Sequence, residues 1–446
     1  MYSLIDGNSF YNSCHQVFRP DLRGKPVITV SNNDGCAVAV NNQAKALNIP
    51  KFEPYFKIKA LCEQHGVTVF SSNYELYSSL SFRMMQVIAR FGPEQLIYSI
   101  DESFLNLEKC VNIPCLREHG AAIRKAIWKE CRIPVCVGTG PTLTLSKLAN
   151  HAAKKIPGYQ GVCVLDSVKE TQQVLKAIDV GSVWGIGRKR TKALQFMGIT
   201  TAAQLANLSP SKARKEFDVG VERTIRELNG EKCIPFDIAR ADKQQVFSTR
   251  SLGKRITEFD ELRQAISLHV GIASRKIRAQ QSLCKVLVCF AGNSPFDEKP
   301  VSYKATHRFE YATADVDTLT SAACALAHSL YKEGVQYYKV GVGLIDLVDG
   351  KHEQADLFNP QPNNEKLMAS FDQINAKYGA DTIFMAAQGT PTNTSWGMRR
   401  EMLSPQYTTK WKVCQKSPVN NIDPPSILQS IRYFKLSICT YLKLVI

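Results

Sequence analysis

The sequence predicts an α+β chain of several domains, and three observations carry that prediction. Residues 1–165 alternate short apolar, strand-like runs with helical patterns; residues 166–235 read as short helices only; residues 243–350 return to strands around a helix. With 446 residues, 44% hydrophobic and 22% charged, the chain can bury substantial cores, which excludes a disulfide miniprotein and general disorder.

Taken in order, residues 2–6, 26–31, 95–100, 103–107, 134–138 and 162–165 read as strands, because each is a short apolar run bounded by turn residues. Residues 75–91, 116–131 and 142–155 read as helices, the last from Leu145, Leu148, Ala149 and Ala152 at helical spacing. Beyond Pro235, residues 286–290 and 340–345 are the candidate strands and residues 262–279 the helix. The polar, proline-containing run 359–364 reads as a linker.

The charge is strongly positive: 56 Lys and Arg against 40 Asp and Glu, formally +16. Residues 101–300 hold 32 of the basic and 20 of the acidic side chains, so the surplus sits mid-chain. A basic belt of this kind suits a long polyanion, where each neutralised phosphate releases condensed counterions; a generic basic surface is the other reading of charge alone. The 14 cysteines form no Cys-x-x-Cys pair and no zinc quartet, so they read as buried free thiols of a reducing cytoplasm. The N-terminus lacks a signal-peptide pattern, and no apolar stretch reaches the ~20 residues of a membrane span, so no membrane partner is expected.

Asp6 ends the first apolar strand, and Asp101-Glu102 follows another. If those strands are neighbours, three carboxylates converge at one sheet edge, the hard-oxygen set that binds Mg²⁺ with substrate phosphates. Taken alone, an Asp at a strand end is more often a cap or turn residue, and an Asp-Glu doublet more often a solvated turn, than a metal ligand. Adjacent strand residues face opposite ways, so Asp101 and Glu102 serve together only if the chain turns or bulges there.

Six motifs follow in sequence: Asp6-Gly7-Asn8-Ser9-Phe10-Tyr11, Ser31 to Cys36, Ser71 to Tyr77, Tyr98 to Phe104, Leu148 to Lys155 and Val183 to Gly187. Together they resemble the Y-family translesion DNA polymerases of the UmuC type, over residues 1–412. The resemblance implies a right-hand polymerase. A ferredoxin-like palm (1–24 and 77–165), small fingers (25–76) and a helical thumb (166–235, helix-hairpin-helix 183–199) precede an α/β little finger (243–350) and a C-terminal extension (363–412). The implied activity is error-prone, DNA-directed DNA synthesis across damaged templates in the SOS response, by nucleotidyl transfer from dNTPs with two Mg²⁺ ions.

By the same resemblance Asp6, Asp101 and Glu102 are catalytic and ligate the ions, with the Gly7 carbonyl as a further ligand. Tyr11 is the steric gate beneath the incoming sugar. Asn42, Lys45 and Lys154 contact the triphosphate, and Lys147 lies seven residues before Lys154, able to face the same way. Leu143 stands where relatives carry lysine. Gly185, Gly187, Arg188 and Lys189 form the phosphate-binding hairpin, and Arg250 contacts DNA in a segment that also carries Lys254, Arg255, Arg275, Lys276 and Arg278. Gln354, Leu357 and Phe358 anchor a sliding-clamp-binding peptide at 354–358. The implied partners are damaged primer-template DNA, a processed UmuD dimer, a RecA filament and the β sliding clamp. The tail 413–446 departs from the pattern. A metal-dependent nuclease and a non-catalytic DNA-binding or regulatory subunit are the alternatives from other classes.

Overall fold

The first strand, β1 (Tyr2–Gly7), is buried along almost its whole length, as a central strand covered on both faces must be. The computed structural model describes residues 1–110, 112–236, 242–351, 364–389 and 396–409. The described residues fall into two units: those among 1–30, 36–236 and 403–409 in one, and those among 31–35 and 242–402 in the other.

In the first unit the strands after β1 are β2 (Val27–Val30), β3 (Ala37–Val40), β4 (Thr68–Ser71), β5 (Glu94–Ile97), β6 (Glu102–Asn106), β7 (Val135–Gly140) and β8 (Val162–Val164). They form a five-stranded sheet, β5-β6-β1-β7-β8, and a three-stranded sheet, β3-β2-β4. β1 runs antiparallel to both β6 and β7, while β7–β8 and β2–β4 are parallel. One face of the larger sheet packs Ile5, Leu105 and Val137 against helices Phe10–Phe18, Tyr74–Ala89 and Leu116–Cys131. The opposite face packs Tyr2, Leu4 and Phe104 with Leu143, the first residue of helix Leu143–Lys155. Leu143 is 2% exposed and part of this core.

Helix Leu143–Lys155 is held against the sheet closely. Thr142 caps it by accepting from the Leu145 amide. Buried Asn150 donates to the carbonyls of Leu4 and Cys136, and Ser146 Oγ donates to the Tyr2 carbonyl. A Cβ on Gly138 would lie 2.0 Å from the Asn150 amide nitrogen, so only glycine lets helix and strand approach this far. The segment 166–235 is helical, as its pattern predicts. Within the expected hairpin, however, the element before the glycines is only a three-residue 3₁₀ turn, Val180–Ser182, followed by helix Arg188–Phe196.

The second unit is a four-stranded sheet, ordered β11-β10-β12-β9, built from β9 (Val246–Ile256), β10 (Ser282–Gly292), β11 (Ser302–Thr313) and β12 (Tyr337–Asp349). Helices Phe259–Ala279 and Val316–Leu330 cover one face. Strands β9 and β11 and helix Val316–Leu330 add to the elements predicted from the sequence. Helix Glu365–Tyr378 packs on this unit: Arg278 grips Asp372 with two 2.8 Å contacts, and Arg275 meets Asp381 at 2.8 Å. Met368 and Trp396 are buried there, Trp396 as part of the core.

Among the described residues no helix is long and apolar enough to cross a membrane. The clamp-peptide residues Gln354, Leu357 and Phe358 and the tail 413–446 lie outside the described residues.

Candidate nucleotidyl-transfer site

Asp6 and Glu102 are direct partners in the antiparallel β1–β6 register, so their side chains leave the sheet on the same face. Asp101 precedes β6. Strand β5 stops at Ile97, and Tyr98–Asp101 turns instead of continuing the strand expected through residue 100. Ser99 pins the turn: its hydroxyl donates to Asp101 Oδ1 at 2.6 Å and accepts from the amides of Asp101 and Glu102. This turn answers the alternation problem, because Asp101 is freed from strand geometry. The Gly7 amide donates to the Asp101 carbonyl at 2.9 Å, drawing the two chain segments together.

Two lysines from helix Leu143–Lys155 reach this edge. Lys154 Nζ lies 2.6 Å from Asp6 Oδ1, and Lys147 Nζ lies 2.9 Å from Glu102 Oε1. All four side chains are at most 27% exposed. Lys147 also sits over the rings of Tyr98 and Trp184, at 4.3 and 5.1 Å. Burial pushes the Asp6 carboxyl up to about 6; Lys154 opposes that, while the charges of Asp101 and Glu102 reinforce it.

A cavity of about 500 Å³ opens beside Asp6 and Asp101 and is also lined by Gly7, Tyr11, Lys45, Lys51 and Lys154. Lys45 is held below its usual range by burial and by the charges of Lys155, Lys51 and Lys154. The cavity thus holds three lysines, Lys45, Lys51 and Lys154, against two carboxylates, Asp6 and Asp101, an excess of positive charge that suits an anionic ligand. Lys51 carried no sequence signal. Tyr11 lies in the same cavity, its ring stacked on Tyr77 at 4.3 Å and 9°. Burial pushes its phenol up to about 12.

Asn42 is not brought together with Lys45 and Lys154. It lines a separate cavity of about 310 Å³ with Asn8, Ser9, Arg23, Asn41 and Arg132. In the hairpin, Gly185 takes a left-handed φ of +88° and Gly187 stands just before helix Arg188–Phe196. Arg188 and Lys189 are exposed at the start of that helix, whereas Arg190 turns inward to Asp218 and the Gly185 carbonyl. Arg250 is exposed on β9. Arg275 and Arg278, grouped with it from the sequence, are instead engaged by Asp381 and Asp372.

The donor set Asp6, Asp101 and Glu102 is all-oxygen and anionic, the chemistry that suits Mg²⁺. In the present arrangement ammonium groups supply the counter-charge to Asp6 and Glu102. Among the described residues no three carboxylate, imidazole or thiol side chains close around one point. The set fits the ion by chemistry and by crowding of like charge around Asp6, and the long lysine stems let the ammonium groups move away without any backbone change.

A family model described as the impB/mucB/samB family matches residues 5–151, its C-terminal-domain counterpart matches 243–357, and a domain of unknown function matches 365–413. Protein UmuC of Salmonella typhimurium is 40% identical over 417 residues, which cover 92% of this chain and 98% of the relative. Protein MucB of Escherichia coli is 39% identical over the same length and shares. DNA polymerase IV of Pelotomaculum thermopropionicum is 26% identical over 398 residues, 87% of this chain and 95% of that one. Among solved structures, a Y-family DNA polymerase chimera of Dbh and Dpo4 has the same fold at a TM-score of 0.62, with 18% identity, over 78% of this chain and 99% of that chain. The fold, the carboxylate edge and these likenesses converge: the chain belongs to the impB/mucB/samB family and is a UmuC-type Y-family translesion DNA polymerase.

Proposed function

We propose that this polymerase extends primers across damaged template positions with low fidelity during the SOS response, and that the cavity beside Asp6 receives the incoming dNTP. The cavity carries the reading: it gathers carboxylates, lysines and a flat ring in one place. Asp6, Asp101 and Glu102, with the Gly7 carbonyl, would hold two Mg²⁺ ions. When bound, these supply Lewis-acid activation of the primer 3′-hydroxyl and neutralise charge on the triphosphate. Lys154 and Lys45 bind phosphate oxygens as point charges, Lys154 leaving Asp6 to do so. Lys147 holds Glu102 oriented, braced by Tyr98 and Trp184. The Tyr11 ring, lining the same cavity, would exclude a 2′-hydroxyl beneath the incoming sugar and so select deoxyribose. Asn42 is proposed to contribute to the triphosphate from the start of the same short helix that carries Lys45.

On this reading residues 1–24 and 77–165 are the palm, 25–76 the fingers, 166–235 the thumb and 243–350 the little finger. Gly185, Gly187, Arg188 and Lys189 grip the DNA backbone and Arg250 tracks it, so binding is sequence-tolerant and falls steeply with salt. The processed UmuD dimer, the RecA filament and the β sliding clamp are its partners, the clamp through Gln354, Leu357 and Phe358. The test is primer extension opposite an abasic site with dNTPs and Mg²⁺, with and without those three partners. Extension past the lesion that grows when they are added supports the proposal. Template binding without synthesis under every condition favours a non-catalytic subunit, and strand cleavage favours a nuclease.

A further inference from the structure

The Tyr11 ring does not stand alone. Tyr77, from helix Tyr74–Ala89, is fully buried and lies parallel beneath it at 4.3 Å and 9°. The Tyr77 hydroxyl is 2.8 Å from His15 Nε2, and the His15 ring is stacked on Phe70 at 4.0 Å and 12°. His15 is also fully buried, and its Nδ1 has no hydrogen-bond partner among the described residues. Among the described residues the one polar tie of its ring is therefore to Tyr77. Tyr74 closes the group edge-on, 6.2 Å from Tyr11 and 5.9 Å from Tyr77.

A ring excludes a hydroxyl only if it cannot retreat. A tyrosine on the rim of an open cavity has torsional freedom, and a displacement of under an ångström accommodates one oxygen atom. Stacking against a ring that is itself fixed from behind removes that retreat. From this geometry we infer that Tyr77 is a positioning residue for sugar selection, pressing Tyr11 into the cavity through a buried stack whose inner ring, Tyr77, meets His15 edge-on at 86° and is tied to it at the hydroxyl. The inference rests on the reading of Tyr11 as the sugar gate. Tyr77 touches no substrate, and its effect passes through Tyr11.

The test measures kcat/KM for a ribonucleotide and for its deoxy counterpart in primer extension by the full chain, comparing wild type, Tyr11→Ala, Tyr77→Met, Tyr77→Leu and Tyr77→Phe. The ratio is read because a merely structural loss lowers both constants together. Tyr77→Met and Tyr77→Leu fill the volume without a flat ring and are expected to raise the ribo/deoxy ratio roughly tenfold, as for a small displacement at a reacting centre. Tyr77→Phe keeps the ring but loses the hydroxyl tie to His15, and is expected to raise the ratio less than Tyr77→Met and Tyr77→Leu do. A raised ratio in Tyr11→Ala with an unchanged ratio in Tyr77→Met and Tyr77→Leu overturns the inference and leaves the gate standing. An unchanged ratio in Tyr11→Ala overturns the gate itself. A rise in Tyr77→Phe as large as in Tyr11→Ala also overturns the stacking account. If neither Tyr77→Met nor Tyr77→Leu folds, Phe70→Leu is the milder probe, expected to raise the ratio about threefold, and no change there overturns the inference.

Discussion

Lys154 Nζ stands 2.6 Å from Asp6 Oδ1, so the lysine proposed to bind the triphosphate is, in this arrangement, the counter-charge of the carboxylate proposed to be catalytic. Lys147 stands one seven-residue step earlier on the same helix and does the same for Glu102. Helix Leu143–Lys155 therefore brings two cations to two carboxylates that are register partners, and the glycine at 138 lets it come near enough.

Removing Lys154 separates its two roles. Lys154→Met is expected to lower kcat/KM for dNTP by about 10–100-fold, the worth of one charge-assisted contact, while primer-template affinity stays near wild type. Steady-state insertion kinetics beside a filter-binding titration check this. Equal losses in both measurements would assign Lys154 to DNA binding instead.

Glu227 is 1% exposed and accepts from the amides of Thr144, Cys233 and Ile234, joining the start of helix Leu143–Lys155 to the segment after helix Val219–Leu228. Glu227→Ala orphans one buried donor, the Thr144 amide, and two half-buried ones, and is expected to cost on the order of 3 kcal/mol in a urea titration. A change under about 0.5 kcal/mol, ordinary for a surface site, would contradict the buried role.

Burial pushes the His15 imidazole down to about 3, and burial with the nearby Arg250 charge pushes His269 down to about 4. Both folded values lie below the ordinary 6.5, so between pH 6.5 and about 4 the unfolded chain takes up protons that the folded chain refuses. The stability from neutral burial is complete above pH 6.5 and is lost as pH falls, about 2 kcal/mol per imidazole by pH 5. Denaturation midpoints from pH 7.5 to 5 should fall more gently in His269→Gln than in wild type. Identical slopes would remove His269 from the account.

The helix of the domain of unknown function is tied to the second unit by the Arg278–Asp372 pair, whose side chains are 10% and 31% exposed. A double-mutant cycle of Arg278→Ala and Asp372→Ala is expected to give a coupling of about 1–2 kcal/mol, above the usual surface pair. Additive effects would mean the contact contributes nothing.

What the sequence made legible follows from burial. Strand β1 and the two central strands β10 and β12 are apolar and readable, whereas edge strands β9 and β11 carry exposed polar and charged side chains that hide their alternation. Asp6, Asp101, Glu102 and Lys154 were legible through motifs, and the structure gathers them at one edge. The Ser99 turn that makes Asp101 usable was not, because it depends on a side chain accepting two amides. Nor was the fate of Arg275 and Arg278, whose acidic partners lie about a hundred residues onward. Tyr77 and His15 were invisible for the same reason: nothing in their spacing tells a core ring from one that braces a neighbour.

The central claim is that the edge formed by Asp6, Asp101 and Glu102 performs nucleotidyl transfer. Its most direct test compares wild type with Asp101→Asn in dNTP-dependent primer extension, each with a parallel primer-template binding titration. The account predicts extension by the wild type, none detectable by Asp101→Asn, and equal DNA affinity in both. Extension by Asp101→Asn at the wild-type rate would contradict it.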